Sequence, residues 1–281
     1  METKIDKTLK EFMNVTAKTT VAVIVPLYGF WGDIPNNPVN GEVLKLALSR
    51  LYSNIHQLYL IFVAHPDSLP HELNNSSSVT NVLLKWNMGG NAKNLPVSRD
   101  ASYPEYISEG MDYALKETTA QFVVVFNPWV MIQEGGIDIL IDRSNRNDDA
   151  KLVAGYDVRS IIDPESFDLY NNTMPIEEYD VSCNFMVMPR YLAEMVELDP
   201  NYKTHAFMER DIWQQVMIKN FVPISSQRVP IFPFDFPWQD YESKERFNYD
   251  KAYFAKKWSF DPGILYQDTR GIYRKDKAGA R

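Results

Sequence analysis

Apolar positions along the chain fall into short continuous runs separated by amphipathic stretches. Residues 21–27 (VAVIVPL), 58–64 (LYLIFVA) and 121–127 (QFVVVFN) are rich in Val, Ile and Phe with little alternation, the pattern of strands covered on both faces. Between the first two, GEVLKLALSRLYSN puts Val43, Leu44, Ala47, Leu48 and Leu51 on one face of a helix. Strand, helix and strand in that order predict a right-handed crossover and a parallel sheet. Downstream, NVLLKW (81–86) reads as a strand and YPEYISEGMDYALKET (103–118) as a helix feeding the strand at 121–127. A helix at GGIDILIDRSNR, a strand at KLVAGYDVR and a short strand from Cys183 to Met188 follow. Two more helices are predicted at YLAEMVEL and DIWQQVMIKN, the second with Ile212, Val216 and Met217 on one face. Four prolines between Pro223 and Pro237 make that segment extended strand or loop.

The implied architecture is α/β, a mostly parallel central sheet with helices on both faces. Three regions are expected: a weakly amphipathic helical extension over 1–18 (Leu9, Phe12, Met13, Val15), the main domain over 19–225, and an aromatic-rich extension over 226–281 that packs on the core. A length of 281 residues with 45% hydrophobic content is enough for a substantial core.

Charge and cysteine usage narrow the function classes. A net charge of −8 supplies no basic field to hold a polyanion, so nucleic acid is not an expected partner. The single cysteine, Cys183, cannot form an internal disulfide, and METKIDKTLK lacks the apolar core of a signal peptide; both favour a cytoplasmic protein. No apolar stretch approaches the ~20 residues of a transmembrane helix.

The segments at the strand ends carry a resemblance. VAVIVPLYG supplies Pro26, Tyr28 and Gly29 after the first strand; Gly110, Met111 and Ala114 lead into QFVVVF; NFMVMPR is followed by FMERDIWQQV. In this order they resemble the family 2 glycosyltransferases of GT-A fold, over roughly residues 20–225. The resemblance implies a GT-A-like domain that binds a nucleotide-sugar donor and transfers the sugar to a glycan or other hydroxyl acceptor. Strand ends of a parallel sheet face the ligand crevice, so Pro26, Tyr28 and Gly29 are expected beside the nucleotide. Tyr28 has two readings: it stacks on the base, or it packs at the strand end.

The pattern breaks where the family places its metal. Its central strand ends in Asp-x-Asp because a divalent cation bridging the diphosphate needs hard oxygen ligands. Here the stretch is FNPWV, with Asn127 and Trp129 at those positions, and tryptophan offers no ligand atom. The acidic position after the second strand is also missing, Ala64 and His65 standing there, and Asp67 replaces it only with a shift in register. No divalent cofactor is therefore expected, and Asp67, Asn127 and Trp129 are assigned to the nucleotide. Without a metal, cations or oriented backbone donors must meet the departing diphosphate. Lys93 and Arg99, in a Gly/Asn/Pro-bearing loop over 87–104, are the candidates, with Arg246, Lys256 and Lys257 further on; for each, a solvated surface charge is the plain alternative.

Glu209 and Asp211 are the catalytic candidates. In the resembling family this acidic position deprotonates the acceptor hydroxyl for in-line displacement with inversion. The alternative is helix chemistry, with Asp211 as an N-cap and Glu209 left for the base. Asp157 and Asp180 are weaker candidates, equally readable as turn residues. Trp238 and Trp258, in FPFDFPWQDYESKERFNYDKAYFAKKW, either bind the acceptor sugar or pack the extension on the core. A catalytically silent relative that binds or scaffolds is the competing reading of the whole chain.

Overall fold

The computed structural model describes residues 19–28, 44, 46–53, 55–65, 91–98, 100–146, 151–157, 184–233 and 244–259. Its strands are β1 (Thr20–Pro26), β2 (Gln57–Ala64), β3 (Asn91–Pro96), β4 (Phe122–Phe126), β5 (Val130–Ile132), β6 (Val153–Asp157), β7 (Phe185–Pro189) and β8 (Ile224–Pro233). The helices are α1 (Tyr103–Glu117), α2 (Gly136–Arg146), α3 (Arg190–Ala193), α4 (His205–Ile218) and α5 (Lys244–Trp258). One sheet holds all eight strands in the order β3-β2-β1-β4-β7-β6-β8-β5. The left half, β3-β2-β1-β4, is parallel throughout. In the right half only β6 and β8 run parallel; β7 is antiparallel to β4 and β6, and β5 to β8.

Each strand of the parallel half divides its residues between two cores, as a pleat of period two requires. Val21, Val23 and Val25 of β1 face one core with Leu44, Ala47, Leu48 and Leu51 and with Ile137, Leu140 and Ile141 of α2. Ala22 and Ile24 face the other, under α1, α3, α4 and α5. Helices therefore cover both faces, as the continuous apolar runs predicted.

Helix α1 lies close on β1 because residue 110 is glycine. A Cβ built there would overlap the Ile24 Cγ2 methyl. At its start the Glu105 carboxylate accepts the backbone N–H of Ser102 at 2.6 Å and its hydroxyl at 2.7 Å. At its end the Arg190 guanidinium donates from Nη1 to the carbonyls of Thr118 (2.9 Å) and Ala120 (3.3 Å), and from Nη2 to Leu115. Those of Leu115 and Thr118 are carbonyls a helix end leaves without internal partners.

Four expectations need correction. Residues 91–96, read as loop, form the edge strand β3, because β2 supplies a ladder that the polar sequence NAKNLP does not advertise. The helix expected at YLAEMVEL is the single turn α3, after which Glu194 already serves as C-cap. The sheet continues past residue 225, since β8 runs from Ile224 to Pro233 and pairs with both β6 and β5. Helix α4 starts at His205 with Thr204 as N-cap, so Asp211 lies inside the helix and caps nothing. Residues 1–18, the strand predicted at 81–86 and Asp180 lie outside the described residues.

Candidate functional site

Strand order reverses at β1. The chain builds β2 and β3 to one side of it and then crosses to place β4 on the other. The carboxyl ends of β1 and β4 thus flank a topological switch point, the position where open α/β sheets hold ligands. Beyond those ends stand Leu27 and Tyr28 on one side and Asn127, Pro128 and Trp129 on the other.

A hydrogen-bonded turn joins the two sides. The Trp129 indole donates from Nε1 to the Tyr28 carbonyl at 3.1 Å. Asn127 accepts the Trp129 backbone N–H on Oδ1 at 3.1 Å and donates from Nδ2 to Asn184 Oδ1 at 2.8 Å. Its own backbone N–H reaches the Asn184 carbonyl at 2.7 Å. Asn127 and Trp129 are 1% and 3% exposed. A divalent cation needs several oxygen ligands that are not already committed as acceptors. One amide oxygen held by a backbone N–H, beside an indole, does not fit such an ion. Among the described residues no group of three or more His, Cys, Asp or Glu could hold a metal.

Tyr28, 5% exposed, packs against α1 just past the end of β1. Its ring meets Tyr103 and Tyr106 edge-on, with centroids 5.7 and 5.4 Å apart. Burial pushes the Tyr106 hydroxyl well above the ordinary tyrosine range, with the Tyr28 hydroxyl adding to the rise, so it stays protonated. Pro26 is the last residue of β1 and pairs with Val63.

Glu209 and Asp211 share α4 but differ in surroundings. Asp211 is 1% exposed. It accepts hydrogen bonds from Tyr202 Oη (2.9 Å), Gln215 Nε2 (2.7 Å) and Trp258 Nε1 (2.7 Å), and Lys257 Nζ lies 3.0 Å from its Oδ1. Lys257 also donates to Asp199 at 2.8 Å. Burial opposes the Lys257 charge, but the hydrogen bonds to Asp199 and Asp211 outweigh it and raise its pKa. Burial likewise opposes the Asp199 charge; hydrogen bonds from Lys257, Asn201 and Tyr253 prevail and hold its pKa down at about 2. Glu209, 7% exposed, lies two residues before Asp211 on a face shared with Ile212, Trp213 and Val216.

The structure thus brings Pro26, Tyr28, Asn127 and Trp129 together at one strand edge. Lys93 is set back from it: it pairs with Ile61 in mid-strand, three residues before the Ala64–Pro96 pair, with its ammonium 6.0 Å from the Tyr113 ring centroid. Trp258 directs its N–H to Asp211. Gly29, Asp67, Arg99 and Trp238 lie outside the described residues, and of Asp157 only its place on β6 is described. Sequence reading passed over Asn184 and Asp250. Asn184 carries no signal beyond a polar residue at the start of an apolar strand; Asp250 stands out only as an acid among the aromatics of α5.

No protein-family model matches the chain, and no curated protein matches it in sequence. Solved structures do. A mannosyltransferase from Pyrobaculum calidifontis, in complex with GDP-Man and Mn2+, is similar at a TM-score of 0.53 and 13% identity, over 86% of this chain and 65% of its own. TarS 1-349 from S. aureus is similar at 0.50 and 13% identity, over 89% and 66%. Glucosyl-3-phosphoglycerate synthase from Mycobacterium tuberculosis, in complex with phosphoglyceric acid, is similar at 0.50 and 10% identity, over 90% and 85%. At such identities the likeness is one of fold: this chain carries a GT-A-like α/β fold.

Proposed function

We propose that the protein binds a nucleotide-sugar at the carboxyl ends of β1 and β4 and transfers the sugar, with inversion, to a hydroxyl of a glycan or other acceptor. The observation that carries this reading is the switch point between β1 and β4 in a GT-A-like sheet, spanned by the Trp129–Tyr28 hydrogen bond. It is supported by the similar structures, among them a mannosyltransferase in complex with GDP-Man.

In this reading the acceptor oxygen attacks the anomeric carbon as its proton passes to the Glu209 carboxylate. The bond from that carbon to the diphosphate oxygen breaks, and the nucleoside diphosphate leaves with the electron pair. Asp211, with both oxygens engaged by donors of this chain, anchors the helix while Glu209 takes the proton. The leaving charge is met without an Asp-x-Asp cation, which Asn127 and Trp129 do not fit. Arg99, in the connection between β3 and α1, is assigned to the diphosphate, with Gly29 and Asp67 on the nucleotide and Trp238 on the acceptor. Lys93 is set back along β3 and contributes only as a longer-range charge. The site of action is assigned to the cytoplasm, and no helix among the described residues is long and apolar enough to cross a membrane.

The test is turnover, either hydrolysis of the donor by water or transfer to a panel of glycans. Glu209→Gln keeps the shape and much of the hydrogen bonding but loses the proton acceptor, and lowers turnover by roughly 10²–10⁴ with nucleotide affinity unchanged. A second reading, a silent relative that binds without transfer, is favoured by the closed Asn127–Asn184 and Trp129–Tyr28 bonds at the metal position. It is the correct one if the wild type binds a nucleotide tightly and turns over no donor.

A further inference from the structure

Helix α5 touches α4 at two levels, one on each side of the turn that carries Glu209. At the first, Asp250, fully buried, accepts the backbone N–H of Thr204 at 2.6 Å, the Thr204 hydroxyl at 2.6 Å and the backbone N–H of Lys203 at 2.9 Å. The N-cap residue of α4 makes no side-chain capping bond of its own, and its hydroxyl is directed to α5 instead. At the second level, Lys257 and Trp258 hold the Asp211 carboxylate. The Phe207 ring, between Thr204 and Asp211 on α4, packs against Phe247 and Phe254 of α5, at 5.1 and 5.8 Å between centroids.

The two levels are in register. Thr204 and Asp211 are seven residues apart, as are Asp250 and Lys257, so two helices running in the same direction meet at points ~10 Å apart. At ~100° per residue Glu209 falls about 140° around α4 from Thr204 and about 160° from Asp211. The clamp therefore grips the face opposite Glu209 and fixes the rotation and advance of α4.

We infer that α5 is a positioning element for Glu209, acting through Lys257 and Trp258 on Asp211 and through Asp250 on Thr204. The inference rests on the reading of Glu209 as general base. It gives Trp258 and Lys257 a part in the reaction that involves neither acceptor nor diphosphate. A group displaced by about 1 Å from its productive position lowers a rate by roughly 10²-fold, so small rotations of α4 matter.

The experiment is a double-mutant cycle on the full chain, reading kcat at saturating donor, KM for acceptor and nucleoside diphosphate affinity. Lys257→Met and Trp258→Phe, the second of which keeps a six-membered aromatic ring but removes the N–H with the rest of the five-membered ring, are each made in the wild type and in Glu209→Gln. Each lowers kcat about tenfold or more in the wild-type background, with nucleotide affinity and acceptor KM unchanged, and has no further effect once residue 209 is Gln. Lys257→Arg restores most of the rate. If Glu209→Gln lowers turnover as expected but Lys257→Met and Trp258→Phe leave kcat unchanged, or reduce turnover by the same factor in both backgrounds, the positioning role is wrong while the base assignment stands. A raised acceptor KM for Trp258→Phe instead returns Trp258 to acceptor binding. Unchanged turnover in Glu209→Gln, or no turnover by the wild type, overturns the base assignment and the inference with it.

Discussion

The indole of Trp129 donates to the backbone carbonyl of Tyr28, 101 residues earlier in the chain, and so ties the end of β4 to the end of β1. The bond makes the switch point a hydrogen-bonded turn. Trp129→Phe keeps a six-membered aromatic ring but removes the N–H that the Tyr28 carbonyl accepts in a buried place. Stability is expected to fall by about 1–3 kcal/mol in urea denaturation. Asn127→Asp, which sets a carboxylate against Asn184 Oδ1, is expected to destabilise to a similar degree, and added Mn2+ is not expected to restore the loss.

Gly110 gives a test of the helix on the other side of β1. Alanine is the better helix former by ~1 kcal/mol, yet its Cβ would overlap the Ile24 side chain. Overpacking is expected to win, with Gly110→Ala less stable by about 1–3 kcal/mol. A variant of equal or higher stability would mean that α1 can move off β1 at little cost.

Arg190 is partly exposed but serves three carbonyls around the end of α1, that of Leu115 in its last turn and those of Thr118 and Ala120 beyond it. Arg190→Ala is expected to cost about 1.5–3 kcal/mol, as hydrogen bonds from a charged donor do. Lysine, a single point donor, is expected to recover only part of it. Hydrogen exchange should rise at the carboxyl end of α1 before it rises in β1 or β4.

The strands that define the fold are legible because their chemistry is local. β1, β2 and β4 are apolar on both faces, and that shows in runs of five to seven letters. β3 is not legible: Asn91–Pro96 lies at the sheet edge, and its membership depends on β2. Asn127 and Trp129 are readable as a departure from Asp-x-Asp, but what they do instead depends on partners 57 and 101 residues away. The same holds for Asp211. Its acidic neighbourhood in FMERD suggests a cap or a base, whereas Lys257 and Trp258, 46 and 47 residues later, make it an internal anchor.

Acid stability should report on the α5 network. Asp199 has a folded pKa of about 2, below the ~3.9 of an unfolded aspartate. A depressed pKa contributes stability fully above the unfolded value, and the contribution is lost as pH falls toward the folded one. Asp199→Asn is therefore expected to be less stable than the wild type at pH 6, with the gap closing between about pH 4 and pH 2. Burial raises the Asp250 pKa, which works in the opposite sense, present at low pH and lost as pH rises through the folded value. A gap for Asp199→Asn that stays constant with pH would show that its hydrogen bonds do not depend on charge.

The central claim is that the β1/β4 crevice binds a nucleoside diphosphate without a cation at Asn127 and Trp129. Calorimetric titration against UDP, GDP, ADP, CDP and dTDP, each with excess chelator and again with Mn2+, measures it directly. The account predicts that at least one nucleotide binds, with the same affinity in both conditions. Binding that appears only with Mn2+, or no binding to any of the five, would contradict it.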